Sequence, residues 1–133
     1  MKVGMVGARG YVGETLLRLL AAHPSFEVAW VSSSSQAGTS LRSLFGDDVP
    51  DLSLEAVAPG ERHPEVLVLA LPNDASAEWV AAHPDAITVD LSADHRFDDS
   101  WTYGLPERHR EALRSARRIA NPGCYATAAQ LAI

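Results

Sequence analysis

The stretch Lys2–Pro24, KVGMVGARGYVGETLLRLLAAHP, decides the fold. Lys2 to Val6 reads as a short buried strand, and Val12, Leu16, Leu17, Leu19 and Leu20 then recur at helical spacing. His23 closes that helix, because Pro24 disfavours helical geometry in the residue ahead of it. Between strand and helix lie Gly7, Gly10 and Gly13, spaced GxxGxxG rather than GxGxxG. A turn without side chains lets backbone N–H groups approach a pyrophosphate, and the positive end of the helix stabilises the anion by about 0.3–1 kcal/mol. Two uses fit the trio: a dinucleotide site, or a tight turn in which Gly13 only lets helix and sheet pack. The strand–turn–helix setting favours the first.

The same grammar returns downstream. FEVAWV (Phe26–Val31) reads as a second strand, and EVLVLAL (Glu65–Leu71) as an almost continuous apolar strand of the kind covered on both faces. Pro72, Asn73 and Asp74 lead into the helical ASAEWVAAHP, and AITVDLS supplies the next strand. After an irregular stretch from Asp94 to Pro106, ERHREALRSA reads as a polar-faced helix, RIA as a short strand and CYATAAQLAI as the start of another helix. Alternating strands and helices predict an α/β fold, a doubly wound Rossmann-type parallel sheet. The two AAHP segments are helix stops in successive β-α units rather than a duplication. Gln36–Pro64 is the least regular region, with a small extra strand expected near Leu54–Val57, and the Ser32–Ser35 run is too short to be a linker.

At 133 residues, 47% hydrophobic and 21% charged, the chain suits one domain, residues 1–133. A formal net charge of -6 argues against nucleic acid and anionic membrane partners. No apolar run approaches the roughly 20 residues of a membrane span, and the N-terminus reads as a strand rather than a signal peptide, so a cytoplasmic location is expected. One cysteine makes no internal disulfide and no multi-cysteine zinc site. His23, His63, His83, His95 and His109 show no metal-ligand spacing; each reads as a surface or capping residue, and no metal is expected.

An NAD site usually carries Asp or Glu about 20 residues beyond the glycines to accept the ribose hydroxyls. Here that place holds Ser32, Ser33 and Ser35. Hydroxyls and backbone donors, with Arg9 or Arg42 nearby, suit a 2′-phosphate and predict NADP(H) over NAD(H); the alternative is a plain polar loop. ANPGCYATA (Ala120–Ala128) sets the lone Cys124 between a Pro-Gly turn and a helix start. A helix N-terminus favours a thiolate, and amides there can stabilise an oxyanion formed on attack at a carbonyl. A lone cysteine can equally be a small buried apolar residue. Spacing alone leaves both open.

VGARGYVGETLLRLLAAHP, LALPNDAS, DLSADHRF, YGLPE and IANPGCYATAAQLA, in this order, resemble the N-terminal half of the N-acetyl-gamma-glutamyl-phosphate reductase family of arginine biosynthesis, with aspartate-semialdehyde dehydrogenases as more distant relatives. The resemblance covers nearly the whole chain except Gln36–Pro64. It implies that Cys124 attacks an acyl phosphate, that phosphate departs, and that hydride from NADPH reduces the thioester to a semialdehyde. It further implies cofactor contacts from Gly7, Arg9, Gly10, Tyr11, Val12, Gly13, Ser32, Ser33, Ser35, Leu71, Pro72, Asn73 and Ser92, and substrate contacts from Arg96 and Asn121. Asn73 stands where the family usually has histidine, which leaves its side-chain role open. Arg96 has a second reading, as a structural partner of Asp94. Trp101, Tyr103 and Phe97 are expected to pack rather than to stack on a ligand. Members of the family continue into a second domain that supplies the general acid/base histidine, most substrate contacts and a dimer or tetramer interface. The expectation is therefore an N-terminal part that binds NADP without turning over alone. Two alternatives stand beside this: a sister reductase of aminoadipyl or carrier-linked acyl phosphates in lysine synthesis, and a non-catalytic NADP(H)-binding sensor.

Overall fold

A computed structural model describes residues 1–133. The chain runs β1 (Lys2–Val6), α1 (Tyr11–Ala21), β2 (Glu27–Ser32), α2 (Leu41–Phe45), β3 (Leu54–Glu55), β4 (Val66–Leu69), α3 (Ala77–Ala82), β5 (Ile87–Asp90), β6 (Thr102–Tyr103), α4 (Pro106–Leu113), β7 (Arg118–Ala120) and α5 (Cys124–Ala132). The seven strands form one sheet in the order β3-β2-β1-β4-β5-β7-β6. Every pair is parallel. The chain builds outward from β1 to β3, then returns to lay β4 on the other side of β1. That reversal opens a crevice at the C-terminal ends of β1 and β4, where open α/β sheets bind ligands.

The expected two-faced burial of the apolar strand is realised in β4. Val66 and Val68 join a core with Val3, Met5, Leu17, Val28 and Val31 on one face of the sheet. Leu67 and Leu69 join Val6, Trp30, Trp79 and Ala86 on the other. Period-2 alternation sends neighbouring side chains to opposite faces, so a strand covered twice must be apolar throughout. Gly4 serves this packing: a Cβ there would sit 2.2 Å from the Trp30 ring.

Several elements depart from the sequence reading. The irregular Asp94–Pro106 stretch contains β6, which pairs Thr102 with Ile119 and Tyr103 with Ala120. Two residues carry no readable period, and the edge of β7 rather than local propensity makes them a strand. Likewise α2 is a five-residue helix inside Gln36–Pro64, held by fully buried Leu41. The strand expected over Leu54–Val57 pairs only at Leu54–Glu55. His83 is the C-cap of α3, as expected, but it is not on the surface. It is 3% exposed, with Nδ1 2.7 Å from the Trp79 carbonyl and Nε2 2.9 Å from the Arg62 carbonyl, because the end of α3 packs under the loop that precedes β4. His23 is exposed, its Nδ1 accepting the amides of Ser25 and Phe26 in the turn that leads into β2. Phe97, expected to pack, is 97% exposed. Trp101 packs on His95, the two rings parallel with centroids 4.0 Å apart.

Candidate active site

The site is built from the loops that leave the C-terminal ends of β1, β2, β4, β5 and β7. In the first, the three glycines have three different duties. Gly7 adopts φ +85, and a Cβ there would meet the Ala70 carbonyl oxygen at 2.2 Å. Gly13 lies against Ala8, where a Cβ would fall 2.4 Å from the carbonyl oxygen. Both are therefore packing glycines. Gly10 is the N-cap of α1, makes no side-chain cap bond, and has nothing within 4 Å of its missing Cβ. An uncapped helix leaves its first amides without partners. The open approach at Gly10 thus exposes a set of donors suited to an anion.

Beside this turn lies a cavity of about 300 Å³ whose walls include Gly7, Arg9, Ser33, Ser34, Leu71 and Trp79. Arg9 reaches across it, donating from Nη1 to Ser35 Oγ at 3.3 Å. The other arginine considered for a 2′-phosphate, Arg42, instead pairs with Asp51 at 3.3 Å. The Ser32 side chain also turns away, since it is 4% exposed and its Oγ is engaged with the Val57 carbonyl and amide at 3.3 and 3.4 Å. Ser34 and Trp79 were not singled out from sequence. Ser34 had the same signal as its neighbours in the serine run, whereas Trp79, nine residues before Thr88 on a helix, enters the wall only because α3 folds back under β4.

The β4 and β5 loops are tied together. Asn73 Oδ1 accepts the Ala93 amide at 3.0 Å. Asp74, at φ +66, donates its amide to Asp94 Oδ1 at 2.8 Å, and buried Ser76 donates its hydroxyl to Asp94 Oδ2 at 2.8 Å. The Asp74 amide holds the Asp94 carboxyl below the usual carboxylate range, outweighing the opposing effect of burial. Ser92 is buried and bonds to the fully buried Asp90 carboxylate through its amide (3.0 Å) and its hydroxyl (2.7 Å). Pro72 and Asn73 are exposed at this edge.

No Asp94–Arg96 pair forms. Arg96 donates from Nε to the Asn121 carbonyl at 3.0 Å and from Nη2 to the Leu91 carbonyl at 3.1 Å. Its Nη1 lies 2.9 Å from where a Gly123 Cβ would be. Arg96 thus braces the turn that carries the cysteine. The Asn121 amide donates to the Asp90 carbonyl at 2.8 Å, and its Nδ2 donates to the Pro122 carbonyl at 3.1 Å. Gly123 is the N-cap of α5, again without a side-chain cap bond, and Cys124 is the first helical residue and exposed. A second cavity, about 380 Å³, is shared by Tyr11, Val12, Leu16, Leu91 and Asn121, so the N-terminal turn of α1 and the cysteine turn border one space. β1 and β7 are three strand positions apart, about 14 Å along the sheet edge.

The largest cavity, about 680 Å³, lies elsewhere, among Arg18, Phe26, Glu27, Arg42, Asp48 and Pro50. It sits at the start of β2, the edge opposite the loops above, and its cations are taken. Arg18 bonds to the Phe45 carbonyl and to Glu14 and Asp48, and those two carboxylates hold its guanidinium above the ordinary arginine value. No helix is long and apolar enough to cross a membrane.

The family model described as semialdehyde dehydrogenase, NAD binding domain, matches residues 2–116. N-acetyl-gamma-glutamyl-phosphate reductases of Stenotrophomonas maltophilia (strain R551-3) and Xanthomonas campestris pv. campestris (strain B100) are each 46% identical to the chain over 98% of its length. The chain spans 44% of the length of those relatives. Among solved structures, aspartate semialdehyde dehydrogenase II of Vibrio cholerae in complex with ASA superposes with a TM-score of 0.73 at 24% identity, covering 98% of this chain and 44% of that one. The aspartate semialdehyde dehydrogenase of Candida albicans with NADP gives a TM-score of 0.70 at 20% identity, over 93% of this chain and 43% of that one. These two share the fold.

Proposed function

The chain belongs to the semialdehyde dehydrogenase NAD-binding domain family, and from that premise we propose that it is the NADP(H)-binding and nucleophile-bearing part of an N-acetyl-gamma-glutamyl-phosphate reductase. The observation that carries this reading is the position of Cys124: exposed, first in an uncapped helix, and on the same sheet edge as the open N-cap of α1. The residues fit a dinucleotide phosphate. Gly10 and the first amides of α1 suit the pyrophosphate, and Arg9 with Ser33, Ser34 and Ser35 suits a 2′-phosphate. When bound, the cofactor supplies hydride.

In the proposed reaction the Cys124 sulfur attacks the acyl carbon, the bond from that carbon to the phosphate oxygen breaks, and phosphate leaves. The first amides of α5 face the oxygen on which negative charge develops. After hydride reaches the thioester carbon, the C–S bond breaks, giving the semialdehyde and returning the sulfur as thiolate. Arg96 has Nη1 free of any hydrogen bond beside Gly123, where it meets an anionic substrate group; Asn121 lines the same approach. Ser92, with both its amide and its hydroxyl spent on Asp90, shapes the loop at this edge instead of contacting the cofactor with either donor. The reading also expects a cytoplasmic, homo-oligomeric enzyme of two or four copies, on the strength of the resemblance.

Iodoacetamide tests it. Cys124 should be alkylated by the reagent and shielded by N-acetyl-gamma-glutamyl phosphate, and NADPH should bind more tightly than NADH. An inert thiol with intact NADPH binding would favour the sensor reading. Shielding by aminoadipyl phosphate alone would favour the lysine-pathway enzyme.

A further inference from the structure

We propose that Asp94 is the positioning residue that fixes the cofactor-side loop Leu71–Ser76, and through it the wall of the cavity beside the glycine turn; this rests on the NADP(H) reading above. Three observations carry it. First, Asp74 is the one non-glycine residue with positive φ in the chain, a conformation that costs about 1–2 kcal/mol for a residue with a Cβ. Something must hold it. Second, the groups that hold it converge on one carboxylate. Asp94 Oδ1 takes the Asp74 amide and Oδ2 takes the Ser76 hydroxyl, each at 2.8 Å, while the Asp94 amide donates to Ser92 Oγ at 3.1 Å. Third, the loop so held borders the cavity. Leu71 lines it, and Gly7 has room for no Cβ because the Ala70 carbonyl, one residue before Leu71, lies against it.

The segment carrying Asp94 continues two residues to Arg96, which grips Asn121 and Leu91. Asp94 therefore secures the loop on the cofactor side, and Arg96 secures the turn on the cysteine side. Ser76 is fully buried, so its bonds to Asp94 and to His95 Nε2 (3.1 Å) serve position and not chemistry. Losing the carboxylate leaves the Asp74 amide and the Ser76 hydroxyl without their shared acceptor. The strained turn then relaxes and the Leu71 wall moves.

The experiment compares Asp94→Ala, Asp94→Asn and Asp94→Glu in the chain as it stands, reading NADPH affinity by quenching of tryptophan fluorescence and amide exchange of Asp74 by NMR. In Asp94→Ala the Asp74 amide should lose protection about ten- to hundredfold, as expected for a hydrogen bond to a charged acceptor, and the NADPH Kd should rise about tenfold. Protection in the β4 amides should be unchanged. Asp94→Asn keeps an acceptor for the Asp74 amide and can donate to Ser76, whose hydroxyl then turns to His95; it should hold the Kd within about threefold of the parent. Asp94→Glu keeps the charge but displaces both oxygens by a methylene, and should fall between. A parent-like Kd and Asp74 exchange in Asp94→Ala overturns the proposal, and so does an Asp94→Asn variant as impaired as Asp94→Ala. If the parent chain itself binds no NADPH, the cofactor reading fails and the proposal falls with it; parent binding that is indifferent to Asp94 sinks the proposal alone.

Discussion

Helix α1 and helix α5 begin from the same local design: each follows the C-terminal end of a parallel strand, each has glycine at an N-cap in extended conformation, and neither cap makes a side-chain hydrogen bond. Beyond the first turn they diverge. α1 buries Gly13 and Leu17 against the sheet, whereas α5 buries no residue and leaves Tyr125 85% exposed. The first helix is held by its own packing. The second is held from outside, by Arg96 on its entry turn and by Gln130, whose Nε2 donates to the Tyr103 hydroxyl at 3.1 Å. A dinucleotide turn built this way is preformed, while the cysteine turn depends on neighbouring loops for its aim.

Glycine substitutions break that contrast most directly. Gly7→Ala should be the costliest, about 3 kcal/mol or more by denaturant unfolding, since it combines positive φ with a collision against backbone at Ala70. Gly13→Ala should follow at about 1–3 kcal/mol, its Cβ meeting the Ala8 backbone. At α5 the same change meets only the end of a side chain: Gly123→Ala contacts Arg96 Nη1, and its φ of -71 is ordinary. Its stability cost should stay below about 1 kcal/mol, while the alkylation rate of Cys124 changes as Arg96 is displaced. An unfolding penalty at Gly123 as large as that at Gly7 would erase the distinction between the two helix entries.

Acid titration sharpens the comparison further, because the loops beside α5 carry carboxylates with lowered pKa. Asp94 is held down by the Asp74 amide, and Asp98 by the Ser100 hydroxyl and amide, which bond to Oδ1 at 2.6 and 2.9 Å. A carboxylate whose folded pKa is depressed adds stability that is fully present above its unfolded value, about 3.9, and is lost as pH falls through the folded value. Stability monitored near Trp101 should therefore hold down to about pH 4 and fall below it, with a shallower fall in Asp94→Asn. The smallest effect belongs to Gly10→Ser. Space is open there and serine is a good N-cap, so stability should change by only a few tenths of a kcal/mol, yet NADPH binding should weaken because the new hydroxyl occupies the first amides.

Much of this was legible in the sequence because it is written in local periods. The β1–α1 unit, the doubly covered β4 and the placement of Cys124 at a helix start all follow from apolar spacing and from Gly and Pro positions. The residues missed or misread were those whose role is set by a partner far along the chain. Arg96 and Asp94, two residues apart, suggested each other as partners, but the backbone aims one at Asn121 and the other at Asp74. Arg42 was offered to the cofactor on proximity in sequence to the serine run, and tertiary packing gave it to Asp51. His83 looked like a helix stop and is one, but only the fold revealed the loop that buries it.

By itself the sequence determined the alternation of elements, the glycine turn and the presence of one nucleophile candidate, since each depends on backbone sterics and burial period over a few residues. Only the tertiary structure decided which hydroxyls and cations face the crevice and which are spent on backbone carbonyls. The hydrogen bonds that decide this join segments 20 or more residues apart, such as Asp74 with Asp94 and Arg96 with Asn121, and no local spacing encodes which of them will meet.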